Sequence, residues 1–350
     1  MKKRNAIIVV GYYGENFGDL LMLKALLASL PTSASPVRIF SYGDVRALDR
    51  FLKEHFPRSD ITIVKPGIWA FIAACKGASQ AVWGGGTCFM DEGGTGGVKY
   101  LAMARLLGVR VRYLGIGVDR CRSIKTRISL WIATRIADEM LVRDEGSAEA
   151  IRRVRRGGGA AVKKIPDLAM AMHHSDVENR QGAVLCLRDL DSYYDPITAR
   201  SINRKLCDLL LHTCWKQSVA QVRVLVADEA LDAGVSREAA DYLVASGIHV
   251  DMIAGWNLDA SIDAVAGSRF VVSARLHVGV VAQLAATPFV LFNYSEKNRK
   301  FCQAVGQLKR CLDLSSAAEW EIDMAAPDRS ISELLRRECA DALEALQDSR

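Results

Sequence analysis

Ala6-Ile7-Ile8-Val9-Val10 runs directly into Gly11-Tyr12-Tyr13-Gly14-Glu15-Asn16-Phe17-Gly18-Asp19, and apolar residues then recur at helical spacing as far as Leu30. Five apolar, mostly β-branched residues in a row read as a strand buried on both faces. The glycines let the backbone turn tightly before the helix, and the helix N-terminus then offers unpaired N–H groups to an anion or polar ligand. This is the opening of an α/β unit. It matches neither G-x-G-x-x-G nor a P-loop, because no Gly-Lys-Ser/Thr ending follows. Asp19 has two readings at this stage, a ligand contact or a plain helix cap. The preceding Met1-Lys2-Lys3-Arg4 does not turn the segment into a signal peptide, since the apolar run is too short and ends at Gly11.

The same alternation continues outward. Strands are expected at Val37 to Ser41, Ile61 to Val64, Ala81 to Trp83, Val109 to Gly115 and Met140 to Val142. Helices are expected at Tyr100 to Leu107, Ile124 to Ala137 and Ser147 to Val154. Arg152-Arg153-Val154-Arg155-Arg156 before Gly157-Gly158-Gly159 reads as a helix end with cations at its negative pole, or as a phosphate or headgroup patch. The polar stretch His173-His174-Ser175-Asp176-Val177-Glu178-Asn179-Arg180-Gln181-Gly182 has linker character. Beyond it a second series begins, with strands at Val184 to Leu187, Val222 to Val226, His249 to Ile253, Phe270 to Ser273 and Phe289 to Phe292. Its helices are expected at Ser201 to Trp215, Arg237 to Ala245 and Leu258 to Ala266. The expectation is therefore two tandem Rossmann-like α/β domains, 1–175 and 182–325, with ligands bound in a cleft at the strand carboxyl ends. Residues 326–350 should form an amphipathic helix on the body, opened by the capping box Ser330-Ile331-Ser332-Glu333 and carrying Leu334, Leu335, Cys339, Ala342, Leu343 and Leu346.

Composition narrows the function classes. The 350 residues are half apolar with a formal charge of +6, and the basic residues are dispersed rather than gathered in a tail. Bulk nucleic-acid binding is not indicated, whereas small anions or an anionic membrane surface are compatible. Nine cysteines lie scattered without a CxxC pair or zinc-type spacing, so free thiols in a reducing cytoplasm are expected and no metal is implied. No apolar run reaches the roughly 18 residues needed to span a bilayer, so membrane association would be peripheral.

Four further segments bear chemistry. Trp83-Gly84-Gly85-Gly86-Thr87-Cys88-Phe89-Met90-Asp91 follows a strand, with more glycine at Gly93, Gly94, Gly96 and Gly97, and suggests close backbone approach to a ligand. Gly115-Ile116-Gly117-Val118 ends the next strand. Leu141-Val142-Arg143-Asp144-Glu145-Gly146-Ser147 delivers an arginine to a strand end, either for a ligand or for a surface Arg–Asp pair. Ser273-Ala274-Arg275-Leu276-His277-Val278-Gly279-Val280 sets an arginine and a histidine at the start of an apolar helix. Cations there oppose the helix dipole, so an anionic ligand is the natural compensation. The next strand leads to Asn293-Tyr294 and then Lys297, Arg299 and Lys300, more positive charge on the same side.

At these residues the chain resembles the polysaccharide pyruvyl transferase family. The likeness runs through Asn16-x-Gly18-Asp19, Gly84-Gly85-Gly86 to Asp91, Arg143-Asp144 with Ser147, Pro166-Asp167 with Ala169, Ser273-x-Arg275-x-His277, and Tyr294 with Lys297 and Phe301. It departs from the family pattern at Leu20 and Asp119. The resemblance implies a GT-B-like pair of domains and phosphoenolpyruvate as the co-substrate, with no further cofactor. It implies His277, Arg275 and Arg143 as catalytic residues, and Arg143, Arg275, Leu276, His277, Tyr294 and Lys297 as donor contacts. Gly14, Asn16, Gly18, Asp19, Gly85, Gly86 and Asp91 fall on the acceptor side. The acceptor would be a glycan or lipid-linked oligosaccharide of cell-envelope or exopolysaccharide synthesis, carrying a pyruvate ketal afterwards. The expected location is cytoplasmic, peripheral at the inner membrane face, and a homo-oligomer stays open. The rival readings are a GT-B glycosyltransferase using a nucleotide sugar and a non-catalytic glycan-binding protein.

Overall fold

The computed structural model describes residues 5–30, 36–57, 60–91, 94–155, 158–173 and 177–344. Met1 to Arg4, Gly93, Arg156, Gly157, His174 to Asp176 and Leu346 lie outside the described residues. The chain divides into two units, one of residues 1–14, 19–171 and 335–350, the other of residues 15–18 and 172–334.

In the first unit the elements are β1 (Ala6–Gly11), α1 (Phe17–Ser29), β2 (Val37–Ser41), α2 (Val45–His55), β3 (Ile61–Ile63), α3 (Ile68–Cys75) and β4 (Ala78–Gly84). There follow β5 (Thr87–Met90), β6 (Gly94–Thr95), α4 (Val98–Leu106), β7 (Arg110–Val118), α5 (Ile124–Ile136), β8 (Glu139–Val142), α6 (Glu145–Arg155) and β9 (Ala161–Lys164). The main strands run β3-β2-β1-β4-β7-β8-β9, all parallel. Because β2 lies on one side of β1 and β4 on the other, the chain reverses its winding there, a topological switch point. Residues of α3 to α6, among them Phe71, Leu101, Leu130 and Ile151, pack in one core against Ile8, Val10, Val111 and Met140 of the sheet. The short hairpin β5–β6, strand β9 and helices α2 and α3 escaped the sequence pattern. The first is built on glycine, and β9 alternates too weakly to stand out, with Ala161, Lys163 and Lys164 exposed.

The second unit contains β10 (Ala183–Cys186), α7 (Pro196–Lys216), β11 (Gln221–Val226), α8 (Glu229–Ala245), β12 (His249–Ala254), α9 (Leu258–Ala266) and β13 (Phe270–Ser273). It continues with α10 (Leu276–Leu284), β14 (Phe289–Phe292), α11 (Glu296–Ala304) and β15 (Cys311–Leu312), and the last helix, α12 (Ser330–Glu344), belongs to the first unit from Leu335 onward. The second unit's sheet, β12-β11-β10-β13-β14-β15, is wholly parallel, and the winding reverses between β10 and β13. Residues 15–18 belong to this unit for a local reason: Phe17 N donates to Ala227 O (2.8 Å) and Asn16 Nδ2 to Asp228 Oδ2 (3.0 Å).

The last helix departs from its expected start. Glu333 N bonds to Arg329 O rather than to Ser330, whose own N–H and hydroxyl both donate to Asp328. A preceding aspartate displaces the capping box because its carboxylate is the stronger acceptor. Cys339 and Leu343 are buried, whereas Ile331 and Leu334 are exposed, so the buried stripe is narrower than the apolar one. Among the described residues no helix is long and apolar enough to cross a membrane.

Candidate active site

Three neighbouring strands of the second unit end alike. Arg188 stands two residues beyond β10, Arg275 two beyond β13 and Tyr294 two beyond β14, and these strands pair in register through Cys186–Ser273 and Ser273–Leu291. Arg188 and Arg275 therefore stand level in the register and Tyr294 one residue further along, at the switch point where open α/β sheets bind ligands. Arg188 Nη1 donates to the Tyr294 hydroxyl (2.9 Å), and its guanidinium lies 4.7 Å from the Tyr294 ring centre and 5.2 Å from that of Tyr193. Lys297 Nζ, from the first turn of α11, lies 5.0 Å from the Tyr294 ring centre.

Each member is held from behind. Arg275 makes a forked pair with Asp232, Nε to Oδ2 at 2.7 Å and Nη2 to Oδ1 at 2.6 Å, and Asp232 is fully buried on α8. Burial by itself would discharge Arg275, but the Asp232 carboxylate raises its pKa, so it stays cationic. Burial likewise raises the Asp232 pKa against the pull of Arg275. The forked geometry favours the ionised form of both. Ser273 Oγ accepts from Arg275 N and donates to Arg275 O, fixing the turn between β13 and α10. Asn298 Nδ2 donates to both Ala274 O and Phe292 O, tying the ends of β13 and β14 together. Asn203 Nδ2 donates to Arg188 O.

The electrostatic consequence is readable on Tyr294. Its burial raises the pKa, yet Lys297, Arg188 and Arg275 together pull it below the ordinary tyrosine value. A buried phenol made more acidic marks a positive potential seeking an anion. Arg188 Nε is buried and makes no hydrogen bond among the described residues, leaving one donor of the fork over.

His277 joins this group from the first turn of α10, one residue past Leu276, which is itself buried. Gly18 packs directly on its ring, and a β-carbon at position 18 would overlap His277 Nδ1. Gly18 N donates to Asn16 Oδ1 (3.0 Å), so Asn16 acts as the cap of α1, and Asp19 sits inside the first turn instead of capping. Asn16, Gly18, Arg275, Leu276, His277, Tyr294 and Lys297 thus share the second unit.

The other sequence-derived residues lie in the first unit. Gly85 and Gly86, both at φ +78°, form the turn after β4, and a β-carbon on Gly86 would stand 3.6 Å from Asp19 Oδ1. Gly14 abuts the backbone of Gly43 and Asp44. Beside this turn the half-exposed rings of Tyr12 and Tyr42 lie 5.1 Å apart, with Trp83 edge-on beneath Tyr12. Asp91 accepts from Arg122 N and Ser123 N at the start of α5, bonds that lower its pKa. Arg143 is not in a surface pair with Asp144: its Nη1 donates to Asp167 Oδ2 (2.9 Å) and its Nη2 to Thr87 Oγ1 (2.7 Å), with both charged partners nearly buried. Asp144 instead caps α6 through Ser147.

Arg188, Asp232, Asn203 and Asn298 were missed from sequence. Arg188 could have been found by its offset, identical to that of Arg275 from the preceding strand. The other three act only through folded contacts.

Two Rossmann-like units, the second with a cation-rich switch point, define the GT-B-like class. Among solved structures the fold resembles UDP-GlcNAc 2-epimerase from Methanocaldococcus jannaschii (TM-score 0.62, 10% identity, 98% of this chain and 99% of that one). It also resembles the Neisseria meningitidis UDP-GlcNAc 2-epimerase bound to UDP-GlcNAc (TM-score 0.58, 11% identity, 98% and 94%). A third is Anabaena HepE in complex with UDP and glucose (TM-score 0.55, 13% identity, 99% and 95%). No curated protein matches the chain in sequence. The polysaccharide pyruvyl transferase family model matches residues 16–296, and the chain belongs to that family.

Proposed function

We propose that this protein transfers the enolpyruvyl group of phosphoenolpyruvate to two hydroxyls of a sugar in a polysaccharide or lipid-linked oligosaccharide precursor, releasing phosphate and leaving a pyruvate ketal. The observation that carries the reading is the convergence of Arg188, Arg275 and Lys297 on Tyr294 beside the α10 N-terminus that bears His277. Phosphoenolpyruvate presents a carboxylate and a phosphate, which forked guanidinium groups bind in pairs. Arg275, oriented by Asp232, and Arg188, with its leftover donor, take these oxygens together with Lys297, Tyr294 and the Leu276 backbone turn. Arg143, held by Asp167 and Thr87, is proposed as a further donor contact.

His277 donates a proton to C3, turning the methylene into a methyl group and leaving an oxocarbenium-like C2. A sugar hydroxyl adds to C2 and loses its proton. The bond from C2 to the phosphate oxygen then breaks, the second hydroxyl closes the ketal at C2, and its proton leaves with the phosphate, while the first hydroxyl's proton restores His277. One acceptor diol and one phosphoenolpyruvate give one ketal and one hydrogen phosphate, with no change of oxidation state. Tyr12 and Tyr42, with Asp19, Gly14, Gly85 and Gly86, offer stacking faces and polar edges of the kind sugars use, and supply the acceptor side with Asn16, Gly18 and Asp91. The scheme calls on no cofactor beyond phosphoenolpyruvate, and its place is the cytoplasm, where that compound is made available.

Incubating the protein with phosphoenolpyruvate and a lipid-linked oligosaccharide tests the reading. Acceptor-dependent phosphate release with a ketal's mass added to the glycan is expected. Turnover of a nucleotide sugar instead, or glycan binding without turnover, would overturn it.

A further inference from the structure

Helix α5 reads Ile-Lys-Thr-Arg-Ile-Ser-Leu-Trp-Ile-Ala-Thr-Arg-Ile, and the fold buries the face that its smaller residues form. Thr126, Leu130, Ala133 and Thr134 face the core, while Ile124 is 74% exposed, Ile128 52% and Trp131 45%. Positions 124, 128 and 131 recur at one helical turn, so the three large apolar side chains form a single outward stripe. Lys125, Arg127 and Arg135 are exposed around it, and the Arg135 guanidinium lies 5.5 Å from the Trp131 ring centre. Residues 120–137 contain five basic residues, Arg120, Arg122, Lys125, Arg127 and Arg135, and no acidic one.

Three acids on neighbouring segments are paired with other arginines, and a fourth, Asp91, accepts from the turn into α5. Asp138 pairs with Arg105, Glu145 with Arg152 and Glu149 with Arg153. A core-packing helix normally turns its Ile and Trp inward and its charges of both signs outward. Here the outward face is apolar and uniformly basic, the pattern of a helix lying in a membrane interface. Its 13 residues would extend about 20 Å along the surface.

We propose that α5 docks this protein on an anionic lipid bilayer, Ile124, Ile128 and Trp131 entering the headgroup boundary while Lys125, Arg127, Arg135 and the basic turn before them meet lipid phosphates. The charge of the stripe selects this occupant over a second copy of the chain, because two such faces would repel each other. The proposal stands apart from the pyruvyl transfer reading, since it needs neither donor nor acceptor.

Cosedimentation with phosphatidylcholine vesicles, with and without phosphatidylglycerol, tests it on the whole protein without substrates. Binding should require phosphatidylglycerol and weaken with salt. Trp131→Ala should reduce the partition coefficient by on the order of tenfold to a hundredfold, the scale of one large apolar side chain leaving its buried site. Arg127→Ala should reduce it by about fivefold. Arg127→Glu with Lys125→Glu provides a second variant at exposed positions, where thermal melts should match the parent. Absent binding, equal binding to both vesicle types, or full binding by the charge-reversed variant overturns the proposal. So does a change from dimer to monomer in light scattering on Trp131→Ala with vesicle binding unchanged, which would assign the face to a second copy.

Discussion

The two switch points of this molecule are built from opposite materials. Between β1 and β4 the first unit places glycine turns and aromatic rings, Gly85 and Gly86 at φ +78° beside Tyr12 and Tyr42. Between β10 and β13 the second unit places Arg188 and Arg275, backed by the buried carboxylate of Asp232. One rim offers open backbone and flat apolar faces, the other concentrated positive charge. The same topology therefore carries two different sets of side chains at its strand ends, and the two or three residues past each strand make the difference.

The sharpest way to break the contrast is at His277. If it is the proton donor, His277→Ala should lower turnover by roughly 10² to 10⁴ with donor binding largely kept, and His277→Gln should not restore it, since an amide exchanges no proton near neutral pH. Initial rates and calorimetric donor titrations on the same preparations decide this; a stability loss with normal turnover per folded molecule would make His277 a packing residue against Gly18.

Arg143 asks whether the first unit carries charge for binding or for folding. Arg143→Ala removes the cation that faces the nearly buried Asp167, and the unfolding free energy should fall by about 3 to 5 kcal/mol, the scale for breaking a buried pair. Adding Asp167→Asn should recover part of that loss. Donor affinity measured in the double variant then reports the binding role separately, and an unchanged value would confine donor binding to the second unit.

Arg188 tests the cationic rim with less collateral damage, because its side-chain partners are the Tyr294 hydroxyl and two aromatic rings rather than a buried acid. Arg188→Ala should weaken phosphoenolpyruvate by about 2 to 5 kcal/mol, with stability changed far less. Calorimetry on folded protein checks it, and full affinity would remove Arg188 from the site.

The smallest effect is the titration of Tyr294. Tyr12, Tyr13, Tyr42, Tyr113, Tyr194 and Tyr242 are all pushed up, so the one pulled down should ionise ahead of them. Ultraviolet difference spectra against Tyr294→Phe should show phenolate below the usual tyrosine range, and adding phosphoenolpyruvate should move that step upward. For stability the sign follows from a folded pKa below the unfolded one. The Tyr294 contribution is complete above the ordinary tyrosine range and disappears as pH falls through the depressed folded value. Removing Arg188 should shrink the whole effect.

What the sequence determined by itself was whatever depends on neighbours along the chain. The strand Ala6–Val10, the glycine turns and the Arg275-Leu276-His277 run could be read because hydrophobic period and turn chemistry are local. Their order along the chain carried the family, which the match over residues 16–296 bears out. The tertiary structure alone decided the partners. Asp232 lies 43 residues from the arginine it forks, Asn298 bridges two strand ends through its amide, and Asn16 joins the second unit through Asp228. It also decided that Asp144 caps a helix while Asp167 takes Arg143, and that α5 turns Ile124, Ile128 and Trp131 outward. Apolar residues occur on both sides of α5, so periodicity could not say which side the sheet would cover; that choice is made by the summed burial of a whole core, a property no short stretch of sequence possesses.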